Sequence, residues 1–224
     1  MITTLLLIRH GQTDWNTAGK WQGHTDIPLN EAGIVQSRLL AERLSSWPIS
    51  AIYSSDLQRA AQTAEIIASR LELVPVLASA LRERHGGVFQ GLTAAEMHNR
   101  FPEDLRSIQE DGGAPPGGES NLEVAQRIWE TFDSIIENHR GEMAAVVSHG
   151  GALAIIVAYA LGFPLGQRAR ISLRGNTGLS MIEFDGRGPR VTLLNDVNHL
   201  AADDNDVGAG FSFHKPSSRR VEPE

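Results

Sequence analysis

Apolar residues recur along this chain in short unbroken runs separated by longer stretches of helical spacing. Leu5-Leu6-Leu7-Ile8 is such a run, and Ser50–Tyr53, Val74–Leu77 and Ala144–Val147 follow it. Runs of this length read as strands buried on both faces of a parallel sheet. Between them, Asn30 is placed to cap a helix over about 31–47, closed by Pro48. Leu57–Leu71 carries apolar or small residues at helical spacing. Thr93 with Glu96, and Ser120 with Glu123, have the spacing of capping boxes, the second opening a helix to about His139. Gly150-Gly151 leads into an apolar helix ending near Leu161. Gly178–Phe184 and Val191–Asn195 then alternate as two strands around an Asp185–Pro189 turn.

Strand and helix therefore alternate through most of the sequence. The expected fold is α/β, a three-layer α/β/α sandwich with a mostly parallel central sheet. One domain over residues 1–200 is expected, with no internal repeat. The least regular stretch, Phe101–Glu119, holds Gly112-Gly113 and Pro115-Pro116-Gly117-Gly118. It reads as part of a lid-like excursion over about 97–119. From residue 201 to 224 the chain turns polar and charged, as a loosely attached tail would.

Composition narrows the function classes. The 224 residues are 41% hydrophobic and 21% charged, ordinary for a globular chain of this size. No run is long enough to span a membrane, and Met1–Ile8 lacks the marks of a signal peptide, so a cytoplasmic location is expected. With no cysteine, disulfides, thiolate nucleophiles and thiolate metal sites are excluded. A net charge of −7 argues against general binding to nucleic acid or to an acidic membrane surface. A phosphorylated substrate would need positive charge gathered in one place.

The strand ends show where. Ligands of open parallel sheets sit at the carboxyl ends of the strands. The first predicted strand ends in Arg9-His10-Gly11 and the second in Ser54-Ser55-Asp56, with Arg59 one turn on. The 144–148 strand ends in His149-Gly150-Gly151. Two histidines and two arginines converge from distant segments, an arrangement that suits an anion between them. Arginine offers a permanent charge and a planar fork of donors for phosphate oxygens. A neutral imidazole beside them can serve as nucleophile and split one difficult transfer into two steps. Glycines after each histidine let backbone N–H groups approach the anion.

The run Leu7-Ile8-Arg9-His10-Gly11-Gln12-Thr13-Asp14-Trp15-Asn16 resembles the signature of the histidine phosphatase superfamily, in its phosphoglycerate mutase-like branch. The likeness continues through Trp21-Gln22-Gly23, Asp26–Leu29, Ser54–Ala60, Gln62–Ala64 and Leu81-Arg82-Glu83. It is completed by Gly87, Phe89, Gly91, Gly117–Ser120 and Ser148–Gly151, in family order over roughly residues 4–200. The resemblance implies that His10 accepts the phosphoryl group, while Arg9, Arg59 and His149 hold its oxygens with Asn16 as a further donor. Gln22, Gly23 and Gly150 are implied as additional phosphate or substrate contacts. Glu83 is implied as the acid that protonates the leaving alcohol and then takes a proton from water. No metal and no cofactor is implied. The partner is a small phosphorylated metabolite, and family members are often homodimers, though nothing in this sequence compels that assembly.

Several residues carry blander readings. Acidic residues flanked by arginines, as Glu83 is by Arg82 and Arg84, are usually solvated ion pairs. His85, His98, His139, His199 and His214 read as surface or packing residues, and His199 in Asn195–Leu200 as a structural one. Trp15 and Trp21 are as well suited to packing as to walling a pocket. A 2,3-bisphosphoglycerate-dependent phosphoglycerate mutase is the main enzymatic rival. This chain has Gly86 and Thr93 where the resemblance leads one to expect a mutase's tyrosine and lysine. The 97–119 region also contains only Arg100 and Arg106 to grip a second charged end. Hydrolysis is therefore the expected outcome, and a silent phosphate-binding scaffold on the same fold is the alternative of another class.

Overall fold

The computed structural model describes residues 1–111, 113–164 and 171–201. Six strands form one sheet: β1 Thr3–Arg9, β2 Ile49–Ser54, β3 Val76–Leu77, β4 Met143–Ser148, β5 Leu179–Asp185 and β6 Gly188–Asp196. Their order is β3-β2-β4-β1-β5-β6, and the first four run parallel, while β5 is antiparallel to both β1 and β6. The principal helices are α1 Asp14–Thr17, α2 Glu31–Leu44, α3 Gln58–Leu71, α4 Ala94–Arg100, α5 Pro102–Asp111, α6 Asn121–Asn138 and α7 Gly150–Ala160. Among the described residues no helix is long and apolar enough to cross a membrane.

The unbroken apolar runs follow from the sandwich. Leu5–Ile8 are fully buried, yet alternate side chains enter different cores. Leu5 and Leu7 pack with Val124, Ile128 and Phe132 of α6 and Leu153 and Ile156 of α7. Leu6 and Ile8 pack with Leu40 and Leu44 of α2 and Ala60, Ala64 and Ile67 of α3. A strand between two helical layers has no polar face, so period-2 alternation disappears from its sequence. Burying one such leucine contributes about 1.5–3 kcal/mol.

The helix starts follow the sequence closely. Asn30 accepts from Gly33 N–H at 2.9 Å, and both capping boxes, Thr93/Glu96 and Ser120/Glu123, form. Four boundaries differ from expectation, each for a physical reason. α2 stops at Leu44, because residues 45–48 make a tight turn into β2 with Trp47 N–H on Leu44 O at 2.9 Å. β3 shrinks to two residues at the sheet edge, where Pro75 offers no N–H to a ladder. The β5–β6 connection tightens to Gly186-Arg187, with Pro189 inside the edge strand β6, opposite Phe184. The stretch read as irregular contains α5, which opens with Pro102 at its first position and Glu103 and Asp104 in its first turn. Phe89, Met97 and Ile108 form a satellite core there, with Phe101, Leu105 and Trp21 packed on it. The tail lies outside the described residues beyond Ala201.

Candidate active site

The parallel register brings the key strand ends together. β4 lies between β1 and β2, with Arg9 opposite Ser148 and Ser54 opposite Val147. The ladder continues one residue past each strand, His10 N–H donating to Ser148 O at 2.9 Å and Ser55 N–H to Val147 O at 3.0 Å. His10 and Ser55 are thus held by sheet geometry before any side chain acts.

His10 is 3% exposed, and its Nδ1 lies 2.7 Å from Gly11 O. That contact requires the proton on Nδ1, which leaves the Nε2 lone pair free. Burial first, then Arg59 and Arg9, holds the imidazole's pKa well below its ordinary value. A neutral, nucleophilic ring is the consequence. The His149 ring centroid is 5.2 Å away. Its Nδ1 accepts from Arg59 Nε–H at 3.2 Å, so its Nε2 carries the proton and donates to Ser55 Oγ at 2.9 Å. His149 is likewise held neutral by burial and by Arg59. In this arrangement both its nitrogens are engaged, so it braces Arg59 rather than directing a spare N–H at the anion.

Arg59 is fully buried and also donates to Thr25 O at 2.9 Å and Gly23 O at 2.7 Å. Arg9 donates to the carbonyls of Leu173 and Arg174, while its buried Nε has no hydrogen-bond partner among the described residues. Burial lowers the pKa of each guanidinium to about 10, so both remain cations at neutral pH. Neither makes an ion pair among the described residues. Glu83 attracts both through space, and Asp26 attracts Arg59, but neither carboxylate bonds them. Two desolvated cations so weakly compensated are costly, and an anion between them offsets that cost.

In front of His10 lies a pocket of about 280 Å³, bordered by Arg9, Arg59, Asn16, Gln22, Gly23 and Glu83 among others. Asn16 Oδ1 accepts from Thr13 in the capping box of α1 and from Asn176, leaving its Nδ2 as a donor. Gln22 is 7% exposed and its Oε1 has no hydrogen-bond partner among the described residues. A flip of that amide exchanges acceptor for donor. Gly23 has φ +52°, and a Cβ there would collide with Gln90 Oε1 and the backbone of Gly86, so the turn that presents its carbonyl to Arg59 requires glycine. Gly150 borders an adjoining cavity with Arg9 and Glu83 rather than this pocket; Gly151 borders both.

Glu83 accepts from Arg84 N–H through Oε1 and from Gly151 N–H through Oε2, each at 2.9 Å. The flanking arginines turn to other groups. Arg82 pairs with Asp56 in two contacts of 2.7 and 2.6 Å. Arg84, 4% exposed, donates to Asn121 Oδ1 at 3.1 Å and lies 5.0 Å over the Trp21 ring. Among the described residues Glu83 therefore has no cation directly bonded to its carboxyl, and it shares the pocket with His10.

Sequence reasoning missed Lys20, Arg84 and Gly151 as pocket residues and left Trp21 undecided; all four border the pocket. Arg84 sits beside Glu83 in the chain, but its burial under Trp21 had no periodic signal. Positive charge for a second anionic end was sought in the 97–119 region, whereas Lys20 and Arg84 bring it to the pocket from elsewhere. His199 is buried, as a structural residue should be, its Nε2 on Thr177 Oγ1 at 2.9 Å. Thr177 N–H and Asn176 Nδ2 in turn donate to His10 O, at 3.3 and 3.1 Å.

A parallel-sheet edge that presents a neutral histidine between two buried arginines, opposite a carboxylate, is a site built for phosphoryl groups. The pattern of the histidine phosphatase superfamily (branch 1) matches residues 5–197, and the chain belongs to that superfamily. It is 39% identical to phosphoglycerate mutase-like protein 4 of Arabidopsis thaliana, over 88% of this chain and 86% of that protein. It is 35% identical to a metal-independent phosphoserine phosphatase of the same plant, over 90% and 84%. Among solved structures it resembles a mycobacterial glucosyl-3-phosphoglycerate phosphatase, in complex with VO3, with TM-score 0.78 and 32% identity over 86% of this chain and 98% of that one.

Proposed function

We propose that the chain hydrolyses phosphomonoesters of small metabolites in two steps through a phosphohistidine on His10. The chain is a phosphoric monoester hydrolase of its superfamily, and relatives named for phosphoserine and for glucosyl-3-phosphoglycerate support small phosphorylated substrates. The observation that carries the mechanism is the neutral His10, with Nδ1 spent on Gly11 O and Nε2 open beside two buried guanidiniums.

In the first step the Nε2 lone pair attacks phosphorus, the N–P bond forms and the bond to the leaving oxygen breaks. Arg9, Arg59 and the Asn16 amide meet the charge on the equatorial oxygens. The carboxyl of Glu83, acting as the acid, gives a proton to the leaving alkoxide. In the second step the Glu83 carboxylate takes a proton from water as the water oxygen attacks phosphorus, and the imidazole leaves neutral. The catalytic groups are His10 and Glu83; Gln22 and Gly23 shape the phosphate contact, His149 holds Arg59, and Gly150 borders the neighbouring cavity. Neither step calls for a metal. We also propose a cytoplasmic location, since charged phosphate esters do not cross a bilayer unaided and stay where they are made.

The test is release of inorganic phosphate from p-nitrophenyl phosphate and from a panel of phosphorylated metabolites. Rapid quenching at alkaline pH should trap phosphate on His10. Turnover without a trapped phosphohistidine would remove the two-step reading, and no turnover at all would favour a silent scaffold. The mutase reading keeps one observation in its favour: Lys20 and Arg84 border the pocket and could hold a second anionic group. Isomerisation of 3-phosphoglycerate faster than phosphate release, with 2,3-bisphosphoglycerate present, would establish it.

A further inference from the structure

Glu83 lies in a stretch that neither sheet nor α-helix organises. A 3₁₀ turn at Ser79–Leu81 precedes it and another at Gly87–Phe89 follows. Backbone carbonyls in such a stretch need partners from elsewhere. One side chain of α6 supplies three of them. Arg127 donates through Nη1 to Ala80 O at 2.7 Å and to Arg82 O at 2.8 Å, and through Nη2 to Glu83 O at 2.8 Å. Its remaining donors meet Glu119, Nε on Oε1 and Nη2 on Oε2, each at 2.9 Å. A guanidinium has five N–H groups, and here five acceptors receive them.

Glu119 is itself tied to the same loop. His85 N–H donates to Glu119 Oε2 at 2.8 Å, and Glu119 N–H donates to His85 O at 3.0 Å. His24 Nε2 adds a contact of 2.7 Å to Glu83 O. Ser148 Oγ donates to Leu81 O at 2.7 Å, and Asp56 holds the Arg82 side chain. Three of the carbonyls from Ala80 to Glu83 nevertheless meet one planar fork, next to the carboxyl that reaches Gly151 N–H.

We infer that Arg127 is the positioning residue for Glu83, fixing the backbone from which the carboxyl reaches the leaving oxygen. The inference rests on the acid–base reading of Glu83 given above. Arg127 touches no reacting atom; its effect is transmitted through three carbonyls. Misplacing a reacting group by about 1 Å costs on the order of 10²-fold, and here only the step that needs the proton should feel it.

The experiment compares kcat/KM for two kinds of ester, because this ratio reports the first phosphoryl transfer with its leaving-group departure. An alkyl phosphate needs a proton from Glu83, whereas p-nitrophenolate leaves as a stable anion. In Arg127→Leu, kcat/KM for an alkyl phosphate should fall about 30- to 100-fold, and for p-nitrophenyl phosphate by less than about threefold. Arg127→Lys, with three donors and no fork, should fall between Arg127→Leu and the unaltered chain. A role confined to folding lowers both substrates equally, and equal losses would overturn the inference. Glu83→Gln run in parallel separates the two claims. If it shows no leaving-group bias, the acid–base reading fails; if it shows the bias and the Arg127 variants do not, only the present inference fails. Should Arg127→Leu not fold, Glu119→Gln loosens the same fork and should give the same bias at smaller size, with equal losses again deciding against it.

Discussion

The two sides of the pocket are built in different ways. On the nucleophile side, His10 and His149 follow directly from strands, and Arg59 stands in the first turn of a helix entered from one. Their backbones inherit the sheet ladder, and the groups themselves are almost wholly buried. On the acid side, Glu83, Arg84 and Trp21 come from loops held by side-chain braces such as Arg127 and the Arg82–Asp56 pair. Desolvation therefore sets the chemistry on one side, and hydrogen-bonded positioning sets it on the other. A nucleophile gains from being held neutral and dry, whereas an acid–base group must reach both a leaving oxygen and water.

Predictions follow from that contrast, the largest first. His10→Ala removes the imidazole nitrogen that opens on the pocket and should reduce phosphate release by at least about 10³-fold. The thermal unfolding midpoint should stay within a few degrees, since the ladder contacts of residue 10 are made by backbone. Retained turnover in a phosphate-release assay would break the assignment of the nucleophile side.

On the acid side, a Cβ added at position 151 would sit 2.5 Å from Glu83 Oε1. Gly151→Ala should push that carboxyl aside and lower kcat/KM for alkyl phosphates about tenfold to a hundredfold. Gly150→Ala, whose Cβ would meet Leu173 O at 3.0 Å and Arg9 Nε at 3.5 Å, should show no dependence on leaving group. If both variants respond alike to the leaving group, the two sides are not separable as described.

The smallest effect is on stability against pH. His10 and His149 are held well below their ordinary pKa, and His199 is lowered to about 4 by burial. Below about pH 6.5 the unfolded chain takes up protons that these rings refuse in the fold. The stability they carry is complete above pH 6.5 and is lost as pH falls, each linked proton contributing roughly 1.4 kcal/mol per unit. Asp56, lowered by its hydrogen bonds to Arg82, acts only below the ordinary carboxylate range. Thermal midpoints measured from pH 7.5 to 4 should decline from about pH 6.5 downward. A flat profile to pH 4.5 would show that the nucleophile side is not as dry as its geometry implies.

The nucleophile side was largely legible before any coordinates, because it follows apolar runs that mark strands, and strand ends mark sites. Arg9, His10, Arg59 and His149 needed only that rule, although the engagement of both His149 nitrogens did not show. The acid side was legible only through resemblance. Nothing periodic marks Glu83 or Arg84, and Arg127 looks like any arginine on a helix surface. α5 was hidden for a related reason: its core is a private one of a few residues, too small to impose a long pattern.

By itself the sequence determined the layer order of the fold, the helix caps and the positions of the strand-end groups. These depend on local spacing and on the burial of whole faces, both of which are written along the chain. Tertiary structure decided which proton each imidazole carries, how deeply each pocket arginine is desolvated, and what holds the Glu83 loop in place. Those outcomes depend on distances between groups remote in sequence and on the loss of water around them, and neither quantity exists until the chain has folded.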